Sequence, residues 1–195
     1  MDEMRVEGAM ESSEWMAKLL GLLPHDADLE ALTMTILEDQ VGGFYDPGTK
    51  SFYLMKGFSG DLARAILAHE LTHALDDRLY DLDGALRERI GHSDSTAAYM
   101  SVVEGSGTEL MNRWVMRNMA KLNAEDMREF SKMGTESLQD TPTVIWKPML
   151  ASYMTGQGFL SIGRRQLRRE EKIRDLNVVL ERAFNAPPLS MEQVL

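Results

Sequence analysis

The segment Ala65-Ile66-Leu67-Ala68-His69-Glu70-Leu71-Thr72-His73-Ala74-Leu75 constrains this chain more than any other. It reads as part of one helix running from about Gly60 to Tyr80, with Ser59 as a candidate N-cap. Leu62, Ala63, Ala65, Ile66, Leu67, Ala68, Leu71, Ala74 and Leu75 make it apolar nearly all round, the pattern of an interior helix. Yet His69, Glu70, Thr72 and His73 sit inside it. Burying two imidazoles, a carboxylate and a hydroxyl without a shared purpose would be costly, which speaks against a chance grouping.

Two histidines at i and i+4 lie about 40° apart around a helix and roughly 6 Å along it, so both rings can reach one cation. Neutral imidazole nitrogen is a preferred zinc donor. Glu70 projects beside the pair, where its carboxylate can take a proton from a water that zinc has acidified. The sequence therefore predicts one zinc per chain, on His69 and His73, with Glu70 as general base.

The third ligand sets the type of site. A continuation with glycine at 76 and a further histidine at 79 would place it on the same segment, but this chain has Asp76 and Leu79. Glu104, in Val102-Val103-Glu104-Gly105-Ser106-Gly107-Thr108, is the best candidate on the next long helix. Ala97, Ser101, Glu104 and Thr108 share one stripe, and with Gly105 and Gly107 they permit close approach to the histidine helix. His92, in a Gly91-His92-Ser93 turn, is the rival ligand and otherwise a surface or cap residue.

Around this helix the pattern predicts a mainly α, α+β fold in a single domain spanning 1–195. Helices are expected over 2–21, 28–39, 93–121, 124–133, 142–154 and 158–184, the last broken near Glu170 and stopped by Pro187-Pro188. Phe44-Tyr45 and Ser51-Phe52-Tyr53-Leu54 flank Asp46-Pro47-Gly48, which predicts a hairpin just ahead of the histidine helix. A hydrophobic fraction of 44% and a charged fraction of 27% are those of an ordinary globular protein. The net charge of −10 argues against non-specific nucleic-acid binding, which needs a basic footprint. Arg164, Arg165, Arg168 and Arg169 read as a solvated helix face, and His25 as a loop residue. With no cysteine, a metal must sit on nitrogen and oxygen donors. No run is apolar enough to span a bilayer, and no signal peptide is visible; compartment and oligomeric state are left open.

The chain resembles bacterial thermolysin-type (peptidase MA-like) gluzincins. The residues that carry the likeness keep their order: Gly43-Phe44-Tyr45-Asp46-Pro47, His69 to Leu75 with Asp77, Val103-Glu104-Gly105 with Thr108, and Pro187-Pro188-Leu189-Ser190-Met191-Glu192-Gln193. The resemblance implies a zincin-like fold, zinc on His69, His73 and Glu104, and Glu70 as the base that drives hydrolysis of a peptide or protein substrate. It also implies an edge strand that holds extended substrate, for which Ser51 to Met55 is in the right chain position, and Tyr153 as a candidate oxyanion donor. Relatives usually continue briefly beyond the position of Leu195, which would make this chain a truncated piece. Two positions depart from the pattern: Ser106 stands where an acidic residue is usual, and Arg78 where a glutamine is usual. Thr108 and Asp77 are the candidates to support the metal ligands instead. The expected activity is zinc-dependent peptide hydrolysis. The rival is a non-catalytic zinc- or peptide-binding domain on a retained protease scaffold, and hydrolysis of a non-peptide amide would use the same residues.

Overall fold

A computed structural model describes residues 8–40, 42–54, 60–122, 128 and 141–195. The described residues are mainly helical with one small antiparallel sheet. Helix α1 (Ala9–Leu19) ends on Gly21, whose φ of 68° lets the Leu22 amide turn back onto the Ala17 carbonyl. Residues 1–7 of the expected first helix lie outside the described set. Helix α2 (Leu29–Gln40) covers the segment expected over 28–39 and begins where Asp28, as its N-cap, accepts the Ala31 amide at 2.9 Å.

Strands β1 (Gly43–Asp46) and β2 (Ser51–Leu54) form the expected hairpin, pairing Phe44 with Tyr53 and Tyr45 with Phe52. The turn is built by Asp46, whose carboxylate accepts from the Gly48 amide at 3.0 Å and the Thr49 hydroxyl at 2.9 Å. Helix α3 (Gly60–Tyr80) follows, its residue 59 cap lying outside the described residues. Asp81, in the left-handed region, leads into the short helix α4 (Leu82–Arg87), which has too few turns for a periodic signal and was not expected. Helix α5 (Ser93–Asn118) continues as a single 3₁₀ turn, Met119–Lys121, reaching the end anticipated. Nearly all of the helix expected over 124–133 is outside the described residues.

Helix α6 (Thr143–Glu170) corrects the expectation of two helices with a gap at 155–157. Thr155 returns its hydroxyl to the Ala151 carbonyl at 2.7 Å and stays helical, and Gly156 serves a packing contact rather than a break. The chain does turn after Glu170, through Lys172 at φ 62°. Helix α7 (Leu176–Asn185) is capped by Asp175, and α8 (Met191–Val194) follows the paired prolines.

The larger apolar core joins α5, α6 and α7 through Tyr99, Val102, Leu160, Leu167, Leu180 and Phe184. Tyr80 carries it to the end of α3 by stacking on Phe184, ring centres 4.4 Å apart. A second, smaller cluster of Leu23, Ile36 and Ile145 seats α2 against the start of α6. The tightest helix contact is α5 on α6. A side chain at Gly105 would come 2.6 Å from the Gly156 carbonyl carbon, and one at Gly156 would overlap the Ser101 carbonyl oxygen. Leu189 donates its amide to Gln193 at 2.7 Å and Met191 donates to Asp94 at 3.2 Å, so the Pro187–Gln193 stretch folds α8 back onto the start of α5.

Candidate metal centre

Helix α3 buries its polar face. His69, Glu70, Thr72, His73, Asp76 and Asp77 are all buried, while Leu71, Leu75 and Leu79 are at least half exposed. The expectation of burial all round therefore fails for one stripe. The reason lies in what meets the helix: α5 packs on one side and β1 on the other, and both engage the polar side chains. Hydrophobicity marked the helix correctly as interior but not which side faces in.

The buried face brings three ligand types together. His69 Nε2 lies 2.8 Å from His73 Nε2 and 3.1 Å from Glu104 Oε2, and His73 Nε2 lies 3.6 Å from the same carboxylate oxygen. Donors bound tetrahedrally at zinc distances stand about 3.3 Å from one another, so the spacing suits one zinc-sized ion. Two ring nitrogens and a carboxylate oxygen converging in the interior are a donor set that a cation would satisfy. Burial works to raise the Glu104 pKa, but hydrogen bonds and charge from both imidazoles outweigh it and hold the carboxyl down to about 2. For His73, burial works the other way, and Glu104 outweighs it to leave the ring more basic than usual.

Small residues make the approach possible. A side chain at Gly107 would come 2.6 Å from His69 Cε1 and 2.8 Å from both ring nitrogens. Gly107→Ala is therefore expected to push the ring aside and weaken metal binding by at least about tenfold, the low end of what loss of an orienting partner costs. Chelator competition on the purified variant checks this, with unchanged far-ultraviolet circular dichroism showing that the helices remain.

Glu70 and Tyr153 flank the three. Burial raises the Glu70 pKa against the opposing pull of His73, His69 and the Tyr45 amide. The Tyr153 ring stacks on His69 with centres 5.7 Å apart. Burial first, and then the carboxylates of Glu104 and Glu70, push its phenol far above the ordinary range, so it stays a proton donor. His92, the rival ligand, sits exposed at the start of α5 and contributes nothing to the cluster. Arg164, Arg165, Arg168 and Arg169 are exposed, as the charge run implied.

Four details around the centre were not legible beforehand. Asp77 is committed elsewhere, accepting from the Tyr45 hydroxyl and Lys50 at 2.7 Å each and from the Leu82 amide at 3.1 Å. Asp76, one residue earlier, is the acid that faces the histidines, its pKa lifted by burial to about 6 while His73 and His69 pull against that rise. His73 Nδ1, Asp76 Oδ2, Ser106 Oγ and Thr108 Oγ1 are each buried without a hydrogen-bond partner, so Thr108 makes no contact to a ligand. Finally, β1 and not β2 lies against α3: the Tyr45 amide donates to Glu70 Oε2 at 2.8 Å, and β2 is on the far side. The strand expected to serve the site, Ser51 to Met55, is thus the outer one over its described residues. Residue 55 lies outside the described residues.

Comparison with family models, with curated proteins and with solved structures gives no match. Among the described residues no helix is long and apolar enough to cross a membrane.

Proposed function

We propose that this chain is a zinc peptidase of the gluzincin type with a zincin-like fold. The observation that carries the reading is the convergence of His69, His73 and Glu104 with Glu70 buried beside them. Zinc held there would acidify a water and polarise the carbonyl under attack. The remaining work falls to side chains. Glu70, its basicity raised by burial, accepts the proton and can pass it to the departing amine. Tyr153 keeps its proton and would donate a hydrogen bond to developing negative charge.

Glu70→Gln preserves size and removes the base. Zinc content is expected to stay near one per chain while hydrolysis of a peptide library falls by at least about a hundredfold. Cleavage by the variant at the wild-type rate would remove Glu70 from the role. A zinc-loaded wild type that cleaves no peptide would favour the non-catalytic binding domain.

A further inference from the structure

Tyr45 touches α3 at two points. Its amide donates to Glu70 Oε2 at 2.8 Å, and its hydroxyl donates to Asp77 Oδ2 at 2.7 Å. Glu70 and Asp77 are seven residues apart on α3, about two turns or 10.5 Å, and so lie on one face. One tyrosine therefore spans two turns of the helix. A single contact would leave the strand free to slide or pivot; two contacts fix both its position and its angle.

The far anchor is itself braced. The Asp77 side chain is 1% exposed, and its oxygens also accept from Lys50 Nζ at 2.7 Å and the Leu82 amide at 3.1 Å. Within the hairpin, Phe44 stacks on Tyr53 with centres 4.7 Å apart, and Tyr45 rests against Phe52 at 5.2 Å. Burial and the neighbouring Asp77 push the Tyr45 phenol up to about 12, so it remains a donor. Every element of the contact chain from Asp77 to Glu70 is thus specified.

We propose that Tyr45 is a positioning residue: anchored through its hydroxyl on Asp77, it aims its backbone amide at one oxygen of Glu70 and leaves the other free to receive a proton. The inference rests on the peptidase reading for its catalytic consequence, but the contact itself can be read without any substrate. A carboxylate on a flexible stem gains a single orientation this way. Misplacing a reacting group by about 1 Å can cost on the order of a hundredfold, so the orientation matters to rate.

The test compares Tyr45→Phe with Lys50→Met in the zinc-loaded protein. Both remove a hydrogen bond to the same Asp77 oxygen, but only the first releases the tyrosine. Tyr45→Phe is expected to lower kcat by at least about tenfold with zinc binding unchanged, whereas Lys50→Met lowers the melting temperature and spares kcat. Amide hydrogen exchange followed by NMR gives the readout that needs no substrate. The residue 45 amide should exchange slowly in the wild type and in Lys50→Met, and faster in both Tyr45→Phe and Glu70→Ala. Equal loss of activity in the two Asp77-contact variants, in proportion to their lost stability, would overturn the proposal. So would slow exchange that persists in Glu70→Ala and Tyr45→Phe. A wild type that binds zinc, cleaves no peptide and still shows the expected exchange pattern would defeat the peptidase reading and uphold the clamp.

Discussion

Gly156→Ala is expected to destabilise the protein by about 3 kcal/mol or more, the upper range for overpacking, because the added carbon meets backbone and cannot be accommodated by a rotamer change. The new Cβ would overlap the Ser101 carbonyl oxygen and lie 2.7 Å from its carbon and 2.9 Å from the Gly105 nitrogen. Relief requires α5 and α6 to separate along the seam that also carries the larger core. For a chain of this length each kcal/mol moves the melting temperature by roughly 2–4 °C, so a fall of about 6 °C or more should appear in a thermal melt. Gly158, two residues on in the same helix, is the internal control, since a side chain there meets nothing within 4 Å. Gly158→Ala should be neutral or stabilising by up to about 1 kcal/mol through helix propensity and chain entropy. Equal melting temperatures for the two variants would show that the helices are not in backbone contact at Gly156.

Glu104→Ala should weaken zinc binding by more than about a hundredfold, beyond the range that loss of an outer partner costs. Its Oε2 is the only carboxylate oxygen within 3.6 Å of both Nε2 atoms among the described contacts, and it is buried on α5. His92→Ala should leave the affinity untouched, because that ring is exposed at the start of the same helix. Competition with a chelator of known affinity measures both. Unchanged binding in Glu104→Ala, or lost binding in His92→Ala, would dismantle the assignment of the third ligand.

Much of the centre could be read in advance because its determinants are local. The i,i+4 histidines need only a helix to converge, and Glu104 announced itself by lying among Ser101, Gly105 and Gly107, where two helices can touch. The hairpin was legible because Asp46-Pro47-Gly48 supplies its own turn chemistry. What failed depended on the partner. Gly156 has the composition of a helix break and the function of a contact, and only the position of Ser101 on another helix distinguishes them. Asp76 and Asp77 are adjacent in sequence, yet about 100° of helical rotation sends one toward the histidines and the other toward the hairpin. The outward turn of Leu71, Leu75 and Leu79 was equally hidden, since leucines ordinarily point inward.

That reversal means that ionisable side chains are buried between α3 and α5 at a position where other domains have hydrocarbon. An ion that bridges His69 and His73 and balances the Glu104 carboxylate would therefore act as a piece of the interior, and its occupancy would set how firmly the two helices adhere. A ligand that binds only the folded chain adds RT ln(1 + [L]/Kd), about 4.1 kcal/mol when free metal is a thousand times its dissociation constant. Folding of such a chain would then be governed by mass action as well as by its sequence. The abundance of intact protein would follow the free zinc of its surroundings, falling in metal-poor conditions before any question of catalytic rate arises.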